Sequence, residues 1–430
     1  MEQEIWSSPA ERVVIMPLDG KTVITFCGRV HHWQRLSPVV DELRRRGCIA
    51  PYVVSDNATN NDPAVEYLIS AGEQFVHILD FLDAESTERT TGMTHDILHK
   101  IAKYNDKDTD IRSFVSPFWL AYSVREACEF ICATNNMEKA LDTIKPDMIM
   151  VLHTNNFWGR MLAHLGYRRH IPVVAYQEGR LRARDEKTLK KQGSAADDCS
   201  KIMCWSESAR QAYIGADIPE SKLAVTGIPH LEQWFGYMEN QETWEMGKKL
   251  QKGSLGFDSE RKLVSFCPPL LSRYDGSPKT ALGALADWSA NEFIQLAIRL
   301  HPFEHEENVE RLKFGLRSHP YAKVIESDTL ALIACSDVVV SQHSTVAVEA
   351  LALNVPLIEL DLDNVGVLES LAEQGVAIPV AGGELSKIMQ VLSGELKASP
   401  TRLEEWITQN IGPRDSGIVD RVIFEIENLI

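Results

Sequence analysis

Short apolar segments alternate with helix-like segments along most of this 430-residue chain. The first example is residues 21–54, where the apolar run VITF is followed by a glycine-containing turn, the helix-like stretch VVDELRRRG and the apolar run IAPYVVS. A strand, a helix and a second strand in this order form a βαβ unit, whose two strands are parallel. The glycine after ELRRR is a helix-stop signal. The pattern therefore predicts an α/β fold with parallel sheets.

The same alternation returns after a mostly helical region across residues 62–143. Apolar runs at 147–153 and 171–179, and the segment 201–229, predict further strands and helices of the first sheet. From residue 263 onward, five or six apolar runs again alternate with helices. This second series predicts a second parallel sheet.

The length of the chain exceeds what one hydrophobic core usually supports, which predicts two domains. We expect an N-terminal Rossmann-like domain over residues 1–240, a polar connection over 241–262 and a C-terminal Rossmann-like domain over 263–405. Residues 406–430 are predicted to be helical, and a return of this helix to the first domain is left open. Open α/β sheets place ligands at the carboxyl ends of their strands, so a cleft between the domains is the expected ligand site.

The composition excludes several classes of protein. A formal net charge of −17 would repel nucleic acid. No apolar run approaches the ~20 residues that span a bilayer, and the first residues, MEQEIWSSPAER, lack the basic and apolar regions of a secretory signal. The eight cysteines are scattered, which is typical of a reducing compartment. We expect a cytoplasmic protein, and leave open its peripheral association with a membrane and its oligomeric state.

Two polar segments of the second predicted sheet carry the strongest functional signal. The segment IRLHPFE places Arg299, His301 and Pro302 at the end of a strand. Further along the chain, the segment SQHST places Ser344 and Thr345 between a strand and a helix. A Ser or Thr at the first turn of a helix caps it, and the N–H groups there form an anion site. These residues are therefore candidates for binding a phosphate.

A carboxylate follows this segment on the same predicted helix. Glu349 comes one helical turn after Thr345, where it could accept a hydrogen bond from a ribose hydroxyl. The alternative is that Ser344 and Thr345 are ordinary helix caps and that Glu349 is a solvated helix residue. The neighbouring His301 and Pro302 favour the nucleotide-binding interpretation over this alternative.

The HP element, followed by a strand, a Ser/Thr pair, a helix and a glutamate, resembles the nucleotide-binding half of the glycosyltransferase B fold. It is similar to bacterial sialyltransferases, polysialyltransferases and capsule polysaccharide transferases, which pair an HP motif with a Ser/Thr motif. In those families the HP histidine and the Ser/Thr pair contact the nucleotide phosphate, which implies such roles for His301, Ser344 and Thr345. The run from IPVVAYQEG to TGIPHLE also resembles the UDP-N-acetylglucosamine 2-epimerases, so the fold-level resemblance covers nearly the whole chain.

The chain departs from both families at one position. The sialyltransferase pattern is two acidic residues and a glycine, of which the first acid is the general base, but this chain has Gln177, Glu178 and Gly179. A glutamine cannot accept the proton, so either Glu178 takes this role or the base lies elsewhere, with His153 as the second candidate. The epimerase glutamate would also fall on Gln177, and the epimerase segment Asp-Ser-Gly-Gly is replaced by Ser-Gln-His-Ser.

Further candidates follow two strands of the first predicted domain. Gly28, His31 and His32 come after the first strand, and Arg180 and Arg182 come after the segment that contains Glu178. We expect them to contact a donor or acceptor sugar. The alternatives are hydrogen-bonded loop histidines and a solvated basic loop. The sequence predicts no metal site and no cofactor.

Together these features predict a metal-independent glycosyltransferase that moves a sugar from a nucleotide-activated donor to a glycan or glycoconjugate acceptor. A CMP-linked acidic sugar fits the HP and Ser/Thr motifs best, while UDP-linked and CDP-linked donors stay open. Such an enzyme would act in polysaccharide biosynthesis, for example in capsule assembly. Two alternatives remain, namely a sugar-nucleotide 2-epimerase or hydrolase of the same fold and a non-catalytic nucleotide-sugar binding protein.

Overall fold

The computed structural model describes most of the chain, and within it the chain forms two β-sheets flanked by helices. The described residues are 18–55, 64–81, 84–104, 117–152, 154, 156–181, 195–268, 282–283, 285–287, 289, 294–301, 304–326, 328–341, 345–361, 370–381 and 386–430. Within the described helices and strands, the backbone alone is described at 86, 94, 97, 98, 100–104, 117–129, 361 and 381.

The first sheet is parallel and has seven strands. They are β1 (Val23–Phe26), β2 (Tyr52–Val54), β3 (Phe75–His77), β4 (Met148–Val151), β5 (Val173–Tyr176), β6 (Lys201–Cys204) and β7 (Leu223–Val225). Their order across the sheet is β3-β2-β1-β4-β5-β6-β7. The helices among them are α1 (Val30–Arg45), α2 (Ala64–Ser70), α3 (Ala84–Tyr104), α4 (Pro117–Ile144), α5 (Phe157–Arg169) and α6 (Glu207–Gly215). The predicted βαβ unit of residues 21–54 is confirmed.

The second sheet has six parallel strands, as the sequence predicts. They are β8 (Lys262–Cys267), β9 (Ile294–Ile298), β10 (Ala322–Val324), β11 (Val338–Ser341), β12 (Leu357–Asp361) and β13 (Ile378–Ala381). Their order is β10-β9-β8-β11-β12-β13 and all described pairs are parallel. The remaining helices are α7 (Glu232–Met238), α8 (Gln241–Ser254), α9 (Glu306–Gly315), α10 (Thr329–Cys335), α11 (Thr345–Ala352), α12 (Ser386–Ser393), α13 (Pro400–Asn410) and α14 (Ile418–Glu427).

The central strands are buried on both faces, which explains their continuous apolar sequences. Every residue of β1, β4, β5 and β11 is buried. Parallel sheets covered by helices on both sides have this property, whereas a half-exposed strand would alternate apolar and polar residues. Of the helices that the structure describes, none has a stretch long and apolar enough to cross a bilayer.

Two details of the first sheet differ from the sequence prediction. Helix α1 begins at Val30, upstream of the helix-like stretch VVDELRRRG, and therefore includes Pro38. Buried residues on both sides of the proline, His32, Leu36 and Leu43, lie on one face of this helix, and their packing compensates for the backbone hydrogen bond that proline cannot make. The second difference is β3, which interrupts the region that the sequence predicts to be mostly helical.

The polar stretch predicted as the connection is in large part the helix α8. The Asn240 side chain caps it by accepting a hydrogen bond from the Thr243 N–H at 2.9 Å. The buried residue of α8 is Lys252, whose Nζ donates to Asp337 Oδ2 at 2.7 Å. A polar sequence therefore forms a helix that is attached to the second sheet by a buried ion pair.

Contacts divide the chain into two compact units. The first comprises residues 1–176, 189–203 and 419–430, and the second comprises residues 177–188 and 204–418. Within the first unit, Arg46 contacts both ends of α14, donating to Asp420 at 2.7 Å and to Glu427 at 2.8 Å. This division differs from the predicted domain bounds at 240, 262 and 405, which stay a prediction.

Candidate functional site

The strand order of the second sheet changes direction between β8 and β11, which are hydrogen-bonded neighbours. Cys267 ends β8 and Ser341 ends β11. The Ser341 hydroxyl donates to the Cys267 carbonyl oxygen at 3.0 Å, and both residues are buried. Ligands of open α/β sheets bind beyond the carboxyl ends of the strands at such a reversal. This point is therefore the candidate ligand site of the second sheet.

Glu349 brings a buried carboxylate to this region. It lies on α11, the helix that follows β11, and is only 8% exposed. Its Oε1 lies 3.5 Å from the Nε2 of His230, which is 6% exposed. Burying a carboxylate is costly unless it is paired or hydrogen-bonded. The alternative that Glu349 is a solvated helix residue is thus wrong.

Arg299 is the cation of the same region, one residue beyond β9. Its Nε donates to the Thr329 hydroxyl at 3.1 Å, and its Nη1 donates to the Ile325 carbonyl at 3.5 Å. Burial lowers the pKa of Arg299 because desolvation disfavours the charged form. Arginine nevertheless stays protonated in proteins, so the region keeps a fixed positive charge.

The Cys267 thiol experiences both of these charges. Burial raises the pKa of Cys267 to about 12, the positive charge of Arg299 opposes this rise, and the negative charge of Glu349 adds to it. The thiol therefore stays protonated at neutral pH and is no nucleophile. The Arg299 N–H also donates to the carbonyl of Phe266, the neighbour of Cys267, at 2.9 Å, which places Arg299 beside this strand end.

The other residues of the predicted phosphate site are described in part. His301 is exposed, and its carbonyl accepts a hydrogen bond from the Glu304 N–H at 2.9 Å. Thr345 is the first residue of α11. Pro302 and Ser344 lie outside the described residues. The structure thus places Arg299, His301, Thr345 and Glu349 on segments that follow the carboxyl ends of β9 and β11.

The residues predicted after β1 form a compact cluster at the start of α1. The Gly28 N–H donates to His32 Nδ1 at 3.3 Å, and His32 is buried. Because Nδ1 accepts this bond, a neutral His32 carries its proton on Nε2. A Cβ atom at Gly28 would lie 2.9 Å from the Phe26 ring, so a larger residue here would require that ring to shift. His31 is half-buried in the first turn of the helix.

Gln177 is a structural residue that cannot act as a base. Its side-chain Oε1 accepts a hydrogen bond from the Trp205 N–H at 2.7 Å, and its Nε2 donates to the Gly179 carbonyl at 2.8 Å. Both ends of the amide are thus bound to backbone in a buried position. A glutamate here could accept from Trp205 but could not donate to Gly179. The half-buried Glu178 follows directly, and His153 lies outside the described residues.

Arg180 is held within the second unit rather than in a solvated loop. Its guanidinium stacks 5.0 Å from the Trp406 ring centre, and its Nη2 donates to Gln374 Oε1 at 3.2 Å. The Trp406 indole N–H donates to the same Gln374 oxygen at 2.5 Å. Arg182 lies outside the described residues.

Sequence reasoning missed two members of the second-sheet region, namely His230 and Cys267. Cys267 could be identified only as the end of an apolar run. His230 stands in the segment TGIPH after β7, whose glycine and proline indicate a fixed turn. No spacing rule connects this turn with Glu349, so the pairing had no sequence signal.

Solved structures of UDP-GlcNAc 2-epimerases and of a teichoic acid polymerase are among those similar to this chain. The UDP-GlcNAc 2-epimerase of Neisseria meningitidis, bound to UDP-GlcNAc, has a TM-score of 0.58 and 14% identity, covering 94% of this chain and 98% of the epimerase. That of Methanocaldococcus jannaschii has a TM-score of 0.55 and 15% identity, covering 95% and 99%. The wall teichoic acid polymerase TagF, soaked with CDPG, has a TM-score of 0.55 and 10% identity, covering 95% and 88%.

No protein-family model matches the chain, and no curated protein matches its sequence. At such low identities the structural likeness shows the fold alone. Two Rossmann-like α/β sheets of seven and six parallel strands match the architecture shared by these epimerases and the polymerase. The predicted fold class is therefore confirmed, whereas the resemblance to sialyltransferases stays a prediction.

Proposed function

We propose that this chain binds a nucleotide-activated sugar at the carboxyl edge of its second sheet and transfers the sugar to an acceptor. The observation that carries the proposal is the buried carboxylate of Glu349 beside the reversal between β8 and β11. The positive charge of Arg299 reaches the same strand end. A carboxylate and a cation on this edge provide the groups that a ribose diol and a phosphate require.

Each residue of the second-sheet region has a proposed role. Glu349 accepts hydrogen bonds from the ribose hydroxyls. The first-turn N–H groups of α11, which begins at Thr345, bind the phosphate together with His301. Arg299 supplies positive charge where the phosphate leaves with an additional negative charge. Ser344 and Pro302 belong to this site on sequence grounds.

The proposed general base is Glu178, with His153 as the alternative. Gln177 is excluded from this role because both ends of its amide bind backbone. Glu178 is half-buried and follows directly after that fixed residue. A carboxylate held by a rigid neighbour is suited to remove the proton from an acceptor hydroxyl. Gly28, His31, His32, Arg180 and Arg182 are proposed to contact the sugars.

The structural neighbours support a nucleotide-sugar ligand. The Neisseria epimerase was solved with UDP-GlcNAc, and a second structure of the Methanocaldococcus enzyme with UDP-GlcNAc and UDP. The HP and Ser/Thr motifs favour a CMP-linked acidic sugar in this chain, with UDP-linked and CDP-linked donors as alternatives. The glycan acceptor, a role in polysaccharide assembly and a cytoplasmic location are parts of the proposal that rest on sequence.

The second candidate function is a sugar-nucleotide 2-epimerase or hydrolase. The observation in its favour is that several similar solved structures are named as UDP-GlcNAc 2-epimerases. Against it, the segment Ser-Gln-His-Ser replaces the epimerase Asp-Ser-Gly-Gly, and Gln177 stands where the epimerases keep an acid. The same glutamine gives weight to a third candidate, a non-catalytic nucleotide-sugar binding protein.

A product assay separates the three functions. The protein is incubated with CMP-linked and UDP-linked sugars, with and without a glycan acceptor, and the products are resolved by chromatography. A transferase releases nucleotide at a rate that rises with the acceptor and yields a longer glycan. An epimerase or hydrolase changes the sugar or releases nucleotide without an acceptor, and a binding protein does neither. Either of the last two results would contradict the proposed transfer.

The phosphate role of His301 is tested by His301→Ala. Loss of a charge-assisted contact should weaken nucleotide binding about tenfold, measured by isothermal titration calorimetry. The matched control is His305→Ala, because His305 is also exposed and its side chain does not cap α9. Equal affinities for the two variants would remove His301 from the phosphate site.

A further inference from the structure

A histidine outside both predicted motifs faces the proposed ribose carboxylate. His230 Nε2 lies 3.5 Å from Glu349 Oε1, within ion-pair range. Both side chains are at least nine-tenths buried. Exposed pairs at this distance contribute little, but in a buried pair each partner would be costly without the other. The contact is a close approach in ion-pair range rather than a hydrogen bond, and the burial of both side chains restricts the positions open to the Glu349 carboxylate.

The backbone around His230 is fixed by packing. Gly227 has a φ of +96°, and a Cβ atom there would lie 3.1 Å from Ile418 and 3.3 Å from the Pro413 carbonyl oxygen. A side chain at this position would be both strained and crowded. Pro229 then begins a short 3-10 helix in which Pro229, His230 and Leu231 are all buried. The imidazole is thus presented to Glu349 from a rigid turn.

We propose that His230 is a positioning residue for ribose recognition, an inference that rests on the proposed function of Glu349. A buried imidazole whose Nε2 lies 3.5 Å from one carboxylate oxygen restricts the rotation of the carboxylate by packing against it. The other oxygen is then oriented to accept from the ligand. His230 acts through Glu349 and makes the second sheet selective for nucleotides with an intact ribose diol.

A purely structural pair would have a different consequence. Loss of His230 would then lower the stability of the protein, and the affinities for all nucleotides would change by the same factor. A positioning residue instead changes the ratio between the affinities for a ribonucleotide and for its 2′,3′-dideoxy counterpart. That ratio separates the two roles because both ligands carry the same base and phosphate.

The experiment measures this ratio by isothermal titration calorimetry in the full chain. The ligands are whichever of CMP, CDP and UDP binds most tightly and its 2′,3′-dideoxy form. We expect the wild type to prefer the ribonucleotide about tenfold, as for hydrogen bonds to a charged group. His230→Leu and Glu349→Gln should each bring the ratio close to one. His230→Gln should keep most of it, because the glutamine Nε2 can donate from the position of the imidazole Nε2.

Three results would overturn the positioning role of His230. A preference that survives in a folded His230→Leu protein would overturn the positioning role while leaving the proposed function intact. A wild type that binds nucleotide without preferring the ribose diol would also overturn it. If none of the three nucleotides binds to the wild type at millimolar concentration, the proposed function fails and the inference fails with it. Should His230→Leu not fold, His230→Asn takes its place, because its shorter amide does not reach the position of the imidazole Nε2. A ratio near one in His230→Asn supports the positioning role, and the wild-type ratio overturns it.

Discussion

The two sheets are alike at their amino edges and different at their carboxyl edges. In the first sheet, Asp147 directly precedes β4 and accepts from the Thr22 N–H at 2.8 Å. In the second sheet, Asp337 directly precedes β11 and accepts from the Leu263 N–H at 2.9 Å. In each case a neighbouring lysine ammonium donates to the same carboxylate at 3.1 Å. One arrangement thus joins the first and fourth strands of both sheets.

The carboxyl edges do not share such an arrangement. After β5, the Gln177 amide binds only backbone at the positions described. At the carboxyl edge of the second sheet there are charged groups instead. Besides burial, which raises the pKa of Cys267, the Arg299 cation lowers this pKa and the Glu349 carboxylate raises it. At the amino edges, the aspartates join neighbouring strands, which explains why both sheets have the same arrangement there. The carboxyl edges differ in their charged groups, and we therefore place the proposed ligand site at the carboxyl edge of the second sheet.

The largest expected effect is on the turnover number and concerns Glu178, at the carboxyl edge of the first sheet. If Glu178 is the general base, Glu178→Gln should lower the turnover number by about 10²- to 10⁴-fold and leave nucleotide affinity unchanged. Turnover is measured with the donor identified by the binding experiments and affinity by calorimetry. Near wild-type turnover would move the base elsewhere, with His153 the next candidate.

The amino edges should differ in how much they stabilise the protein. Asp337→Asn should lower the free energy of unfolding by about 3 kcal/mol because it leaves the buried Lys252 without its counter-charge. Asp147→Asn should cost about 1 kcal/mol or less because that ion pair is about one-third exposed on each side. Urea denaturation measures both changes. Equal losses of unfolding free energy in the two variants would show that burial of the ion pair does not determine its contribution to stability.

The ion pair of Asp337 also predicts that the stability of the protein depends on pH. Burial by itself raises the pKa of Asp337, but the hydrogen bonds from Lys252 and the Leu263 N–H outweigh it, so the folded pKa is lowered. A lowered folded pKa gives stability that is present above the unfolded value and is lost as pH falls through the folded value. The difference in unfolding free energy between wild type and Asp337→Asn should therefore shrink below about pH 4.

The second-sheet edge should lose nucleotide binding when its cation is removed. Arg299→Met should weaken binding by about 10- to 100-fold, because a charged hydrogen-bond donor near the phosphate is lost. The matched control is Arg261→Met, since Arg261 stacks on Tyr321 at 4.2 Å just before β8, at the amino edge. Unchanged calorimetric affinity in Arg299→Met would exclude Arg299 from the nucleotide site.

The smallest effect concerns Gln177. Restoring an acid with Gln177→Glu should not raise turnover, because the position is buried and bonded to backbone. It should instead lower the free energy of unfolding by about 1–2 kcal/mol through the lost hydrogen bond to Gly179. Thermal or urea denaturation and the transfer assay test the two statements. A gain in turnover would contradict the structural role of the Gln177 amide.

The fold was largely predictable because buried parallel strands leave continuous apolar runs in the sequence. The segments VITF, MIMV and VVVS, for example, predict buried strands, and they form β1, β4 and β11 in the structure. The strand β3 was missed because it has three half-buried residues between helical segments. Helix α8 was interpreted as a polar connection because its buried residue is a lysine, whose charge is balanced only by the distant Asp337.

The site was predictable only where its residues are close in sequence. Thr345 and Glu349 share a helix, so their spacing indicates a common face. The contact between His230 and Glu349 joins segments far apart in the chain, and a single sequence has no signal for it. Likewise, the hydrogen bond from the Trp205 N–H to the Gln177 amide oxygen forms only once β5 and β6 are paired.

The central claim is that the carboxyl edge of the second sheet binds a nucleotide. The most direct measurement is a calorimetric titration of the wild type and of Glu349→Gln with CMP, CDP and UDP, with Asp147→Asn as a folded control at the other sheet. We predict that at least one nucleotide binds the wild type and the control with equal affinity and binds Glu349→Gln about tenfold more weakly. Equal affinities in all three proteins, or no binding to the wild type at millimolar nucleotide, would contradict the claim.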